Sequence, residues 1–236
     1  MSAFARLNRI PQLNVQRPII VLTLGLTAIS AALLSAQKLS FEVGPVAGIV
    51  FSDWHVPDVR GPTASRRGFV GGGFLTMRIS TYLAFEAQLL YVRKGTDFRG
   101  SYTATYKQDY IEIPVLIRGT YPLAGVRFAS TIFAGPAVAF QTSCTFSSTS
   151  FSGPGYQILA ITIPCDSVWS KSTNASMTHS DALLVFGGGL NVGPFALLAR
   201  YDLGLTKLIT QGTTPQDYKT KAWLLSVGFG MTLGKR

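Results

Sequence analysis

Taken in steps of two, the chain divides repeatedly into an apolar and a more polar phase. Over residues 40–52, Phe41, Val43, Pro45, Ala47, Ile49 and Phe51 oppose Ser40, Glu42, Gly44, Val46, Gly48, Val50 and Ser52. A period of two belongs to an extended strand with one apolar face, because successive side chains point to opposite sides. The pattern returns over 68–79 and 83–94, and most clearly over 108–120, where Ile111, Ile113, Val115 and Ile117 oppose Glu112, Pro114, Leu116 and Arg118. It recurs over 126–141, 181–192, 195–208 and 220–233, although in 181–192 both phases carry Leu, Val, Phe and Gly. Eight strands of about 12 residues each are predicted.

The connections alternate in length. Residues 53–67, 95–107, 142–180 and 209–219 read as long loops, whereas 80–82, 121–125 and Gly193-Pro194 read as tight turns. Tight turns on one side and long loops on the other are what a barrel threaded through a bilayer requires. Strands of this length also meet the roughly 9–11 residues of a tilted crossing. The expected fold class is all-β, an eight-stranded antiparallel up-and-down transmembrane β-barrel of the bacterial outer membrane. An even strand count puts both termini on the short-turn, periplasmic side and all four long loops outside.

Hydrocarbon offers no hydrogen-bond partners, so the backbone must pair around a closed cylinder and the outward side chains must be apolar. The polar phase then faces the lumen, with Glu42, Arg78, Glu86, Gln88, Glu112, Arg118, Arg127, Asp181, Asn191, Arg200 and Asp202. Counting from the short-turn ends sets Glu42 beside Arg78 and Glu86 near Arg118. The expected lumen ionic network is Glu42, Arg78, Glu86, Glu112, Arg118, Arg127, Arg200 and Asp202. Side chains are enough to fill an eight-stranded interior, which argues against an open pore. Phe51, Phe69, Tyr91 and Trp223 fall near the long-loop rim and Tyr121 and Phe195 near the other, as aromatic girdles would.

Composition adds limits. The longest apolar run, 19–34, is shorter than the roughly 20 residues of a spanning helix. Arg6, Arg9 and Arg17 precede it and Ser35-Ala36-Gln37 ends it, the layout of a secretory signal peptide. Residues 1–37 are therefore read as signal peptide and 38–236 as the barrel domain, with 142–180 its long outer loop. Of 21 Lys and Arg, three lie in that leader, leaving 18 against 11 acids. They are scattered, with Arg66-Arg67, Arg93-Lys94 and Lys235-Arg236 the adjacent pairs, so no electrostatic stripe appears and nucleic acid is not an expected partner. Two Cys and two His are too few for the usual metal cages, and neither metal nor cofactor is expected.

In an exported chain Cys144 and Cys165 are expected to form a disulfide. It would close the Ser/Thr-rich loop, where 156–163 reads as one strand of a hairpin standing above the membrane; long loops of this kind are often functional. A lipid-acting barrel enzyme would need Ser, His and acid within hydrogen-bond reach. His55 lies in the first loop, and His179 adjoins Ser180 and Asp181, yet neighbours on an extended chain point apart, so no catalytic residue is assigned. Gly71-Gly72-Gly73 and Gly187-Gly188-Gly189 lie inside strands rather than opening a helix. They read as places where strands bend and lumen side chains gain room.

The segment Tyr110-Ile111-Glu112-Ile113-Pro114-Val115-Leu116-Ile117 resembles the "YxEIPxLLK" strand of the PorT-like outer-membrane β-barrel proteins, followed as there by a turn, a strand and a Gly-Pro, here Gly135-Pro136. Phe186-Gly187-Gly188-Gly189-Leu190 and Ala199-Arg200-Tyr201-Asp202-Leu203-Gly204-Leu205 are similar to that family's Gly-rich and "ARYxxGL" strands. The resemblance spans nearly the whole mature chain and implies an eight-stranded outer-membrane barrel, one member of the family being linked to protein secretion. The role expected is non-enzymatic and monomeric. Its partners would be outer-membrane lipids and, through the outer loops, envelope or secretion proteins. A lipid-modifying enzyme, a narrow channel and a secreted soluble barrel with an apolar interior are the alternatives.

Overall fold

The computed structural model describes residues 39–55, 63–99, 102–123, 128–150, 159–172, 175–207, 209–211, 214–216 and 219–233. The expected signal peptide and Arg127 lie outside the described residues. The long strands are β1 (Ser40–His55), β2 (Thr63–Arg78), β3 (Leu83–Arg99), β4 (Tyr102–Pro122) and β5 (Phe128–Ser150). Beyond β5 come β6 (Leu159–Pro164), helix α1 (Cys165–Ser172) and the short β7 (Ala175–Met177). Next are β8 (Ser180–Val192), β9 (Phe195–Gly204), the short β10 (Ile209–Gln211) and β11 (Thr214–Gln216), then β12 (Lys219–Phe229) and β13 (Met231–Leu233).

Eight of these close on themselves in the order β1-β2-β3-β4-β5-β8-β9-β12, every pairing antiparallel, with β12 returning to β1 from Val46↔Gly228 to His55↔Lys219. Beyond Gly230 the ladder continues through β13, where Phe41 faces Leu233. Closure removes the free edges of an open sheet. The stagger can be followed residue by residue: Leu190 pairs Leu197, then Val227, Ala47, Gly71, Tyr91, Ile111, Phe140 and finally Ser180. One circuit thus returns to β8 ten residues from its start. A stagger of that size tilts the strands, by about 35–45° in barrels of this kind.

The two-residue period decides which way each side chain points. Ile49, Phe69, Leu89, Ile113, Val115, Ile132, Leu197, Trp223 and Val227 are exposed on the outer wall. The opposite phase packs the interior as two apolar clusters, one around Tyr110, Leu116, Phe133, Leu183 and Val185, the other around Val50, Val70, Leu90, Val92 and Leu224. A Cβ on Gly187 would lie 2.6 Å from the Phe133 ring, so this glycine makes the room that Phe133 occupies. At the short-turn end, Gly193 adopts a φ of 60° between β8 and β9, a conformation that glycine takes without a Cβ penalty. There too the Ser80 hydroxyl accepts the backbone N–H groups of Tyr82 and Leu83 and fixes the β2–β3 turn.

The strands are longer than expected, which corrects the loop boundaries. In the segment 95–107, read as a loop, the described residues 95–99 and 102–107 instead continue β3 and β4, paired from Gly95↔Lys107 to Arg99↔Thr103. The reason lies in the outward phase. Beyond Arg93 it turns polar, with Asp97, Thr103, Thr105 and Lys107, while Thr96, Phe98, Ala104 and Tyr106 keep the inward one. The ladder persists where the apolar-outside signature ends. Likewise β5 runs on to Ser150 and pairs β6 at Leu159–Pro164. Of the strand expected at 156–163, residues 156–158 lie outside the described residues. The expected 209–219 loop holds β10 and β11, which form a small separate sheet with β7.

Candidate functional site

The interior carries its charges in storeys. Nearest the short-turn end, Arg78 donates to Glu42 through Nη2 at 2.6 Å, with both partly exposed. The register makes the two diagonal neighbours on adjacent strands, Glu42 lying opposite Thr76 and Ser40 opposite Arg78. One storey up, the Glu86 carboxylate is fully buried and takes Arg118 at 3.1 Å, the Thr76 hydroxyl at 2.8 Å and the Gln88 amide at 2.6 Å.

The central storey holds Lys94, Glu112, Arg200 and Asp202, none more than 5 % exposed. Arg200 forks, donating from Nε to Asp202 at 2.5 Å and from Nη2 to Glu112 at 2.8 Å, and its Nη1 reaches the Gln88 amide oxygen at 3.3 Å. Lys94 pairs with the other Glu112 oxygen and lies 3.4 Å from Asp202. Two cations therefore face two carboxylates and the group is neutral. Neutrality matters because isolated buried ions are strongly disfavoured, while paired and hydrogen-bonded ones are tolerated. Asp181 stands at the side, accepting from the Thr220 hydroxyl at 2.7 Å and the Thr206 backbone N–H at 3.1 Å.

Above the charges sits an aromatic cover. Trp54 stacks against Tyr106 with ring centres 4.9 Å apart, Tyr106 meets Phe146 at 4.9 Å, and Phe98 lies 6.3 Å from Trp54. The Trp54 indole N–H donates to the fully buried Gln108 at 3.1 Å. The Ser52 hydroxyl locks β1 to β3, accepting from the Gly95 N–H at 2.8 Å and donating to its carbonyl at 2.9 Å.

Outside, aromatic pairs encircle both ends. Tyr82–Tyr121 and Phe195–Phe229 lie at the short-turn end, with ring centres 5.5 and 5.3 Å apart. Phe69–Tyr91 at 5.7 Å and Tyr201–Trp223 at 4.8 Å lie toward the other. Just beyond the latter, Arg93 binds Asp109 at 2.7 Å. Its hydrogen bonds hold the Asp109 carboxyl below the usual carboxylate range, and Asp109 in turn raises the Arg93 guanidinium. Higher still, Cys144 and Cys165 form a disulfide with a Cα–Cα distance of 5.4 Å, tying β5 to the first residue of α1.

Of the residues that the sequence assigned to the interior, the structure brings together Glu42 with Arg78, Glu86 with Arg118, and Glu112 with Arg200 and Asp202. Lys94 was missed, although it shares the inward phase of Leu90 and Val92. The aromatic cover was missed because its residues lay in segments read as loops. His179 approaches Asp166 of α1 at 3.8 Å, both well exposed, rather than a serine. The His55 side chain lies outside the described residues. Among the described residues no group of three His, Cys, Asp or Glu side chains is placed to hold a metal.

A family model described as "Outer membrane protein beta-barrel domain" matches residues 35–210. No curated protein matches the chain in sequence. Among solved structures it is similar to Ail, the attachment invasion locus protein of Yersinia pestis, at 16% identity over 81% of this chain and 99% of that one, with a TM-score of 0.40. OprG from Pseudomonas aeruginosa is 12% identical over 84% of this chain and 97% of that one, TM-score 0.43. Neisserial surface protein A is 13% identical over 82% and 99%, TM-score 0.40.

Proposed function

We propose that this chain, which belongs to the outer membrane protein β-barrel domain family, is a non-enzymatic, monomeric outer-membrane barrel of the PorT-like type with a sealed interior and outward-facing loops. The observation that carries the reading is the opposition of its two faces. A continuous apolar wall, ringed by aromatics, surrounds an interior in which four ionised groups neutralise one another beneath Trp54, Phe98 and Tyr106. An apolar wall has a cost in water and none in hydrocarbon. The spanning part of each strand lies between the aromatic levels, on β4 from Ile111 to Tyr121, and the hairpins above it stand in solvent.

On this reading both termini are periplasmic, a leader at 1–37 directs export, and the disulfide-tied β5–β6 hairpin offers the outside a partner-binding surface for envelope or secretion roles. His179 is exposed and approaches the exposed Asp166 of α1 rather than entering the buried interior, which supports a non-enzymatic reading. Planar-bilayer recording joined to membrane fractionation tests the proposal. In cells the protein should fractionate with the outer membrane, and once purified it should give no steady conductance. A stable open current, or recovery from the soluble periplasm, would overturn it.

A further inference from the structure

We infer that the wall is built to part locally around residues 113–116 of β4, and that this movement is coupled through Gln88 to the charges inside. The inference goes beyond the outer-membrane reading, since it concerns how the closed ring moves rather than where it sits. In an antiparallel ladder, opposite residues exchange both N–H···O bonds or neither, in alternation. Between the aromatic levels, six of the ring's seams run without a gap among the described residues. The two that flank β4 are the exceptions. Between Ala87↔Val115 and Leu90↔Glu112 the β3–β4 seam has no pair at Gln88 and Leu89. Between Pro114↔Ala137 and Ile117↔Ala134 the β4–β5 seam has none at Val115 and Leu116.

Two prolines account for both gaps. The flanking pairs set Pro114 across from Gln88 and Pro136 across from Val115. Proline has no N–H to give, so the ladder offers no donor to the carbonyls of Gln88 and Val115. In hydrocarbon water cannot take the missing place. Proline is ordinarily kept to the edges and bulges of sheets, and a closed ring has no edge. Pro45, also inside a ring strand, lies across from Phe229, where β12 already gives way to β13 and the Gly230 N–H turns to the Pro194 carbonyl. The β4 defects differ because they fall between the aromatic levels, one on each side of the strand and at successive positions along it.

The gap on the β3 side falls at a residue with two connections inward. Gln88 donates to the Glu86 carboxylate at 2.6 Å and accepts from Arg200 at 3.3 Å, so it joins the lower charged storey to the central one. Its side chain therefore holds the seam that its backbone holds less well, and parting of β3 from β4 pulls on both storeys. On the β5 side, a Cβ on Gly135 would strike the Val115 carbonyl at 2.0 Å, so the two backbones approach closely where the bond is missing. Losing one bond of ordinary net strength favours local opening by about fivefold. Two losses at successive positions of one strand compound.

The test is amide hydrogen exchange of the full-length barrel in nanodiscs, read by NMR as protection factors. Gln88 and Val115 should be about tenfold less protected than Ala199 and Leu225, which face each other midway along the unbroken β9–β12 ladder. Pro114→Ala with Pro136→Ala restores both donors and should narrow that difference to about twofold or less. Gln88→Leu should lower protection at Val115 by about a further threefold, whereas Ser52→Ala, which breaks the β1–β3 lock above the storeys, should leave it within about twofold of wild type. Equal protection of the two sites in wild type, no gain in the double alanine variant, or an unchanged Val115 in Gln88→Leu would overturn the inference while leaving the barrel reading intact. Failure of the wild type to insert and show heat-modifiable migration would remove both.

Discussion

Replacing Glu112 by Gln keeps the volume of the central storey and removes one of its four charges. Lys94 and Arg200 would then share Asp202 alone, leaving one uncompensated cation among groups that are at most 5 % exposed. Breaking a buried ion pair in this way costs roughly 3–5 kcal/mol. That corresponds to about two to three and a half powers of ten in the folding equilibrium, at about 1.4 kcal/mol per tenfold. Adding Lys94→Met restores neutrality, and the amide oxygen introduced at position 112 can still accept from Arg200, so the double variant should return to within about 1 kcal/mol of wild type. The assay is reversible urea unfolding in lipid vesicles, followed by tryptophan fluorescence and checked by heat-modifiable gel migration. A cost below about 1 kcal/mol for Glu112→Gln would refute the reasoning. So would a double variant as unstable as the two single variants summed, since non-additivity is the signature of direct coupling.

Three further outcomes follow from other parts of the molecule. Val227→Lys, on the wall between the girdles, should cost roughly 2–4 kcal/mol of folding free energy in bilayers, measured by the same unfolding titration, whereas Thr103→Lys on the upper hairpin should cost little. Cys144→Ser with Cys165→Ser should expose 142–180 to proteolysis without moving the barrel's unfolding midpoint, because the bridge ties β5 to α1 above the ring; an equal shift in the midpoint would count against this. The depressed Asp109 carboxyl contributes stability that is complete above the unfolded value of about 3.9 and is lost as the pH falls through its lower folded value. The difference between wild type and Asp109→Asn in unfolding midpoint should thus be constant from pH 7 to about 5 and shrink below about 4.

Much of the barrel was legible because lipid-type walls impose the two-residue period over whole strands. Ile111, Ile113, Val115 and Ile117 against Glu112, Leu116 and Arg118 suffice to orient β4, and Glu42–Arg78 and Glu86–Arg118 follow from counting. The pattern fails where its cause stops. Above Arg93 the outward side chains are free to be polar, so β3 and β4 continue through Asp97 and Thr105 without the apolar alternation that revealed them lower down. Trp54, Phe98, Tyr106 and Phe146 went unrecognised as one cluster for the same reason. Lys94 was passed over because its charge reads as surface, although it lies two positions beyond Val92 on the inward phase; the register sets it across from Gln108, and its ammonium reaches along the interior to Glu112.

The most direct test is spin-label accessibility in nanodiscs, with nitroxides placed singly at Ile113, Val227, Thr76 and Ser226. Ile113 and Val227 should relax strongly with oxygen and weakly with a water-soluble nickel chelate, and Thr76 and Ser226 should be poorly reached by both. Nickel-accessible labels at Ile113 and Val227, with oxygen reaching Thr76 and Ser226 instead, would contradict an apolar wall around a charged, closed interior.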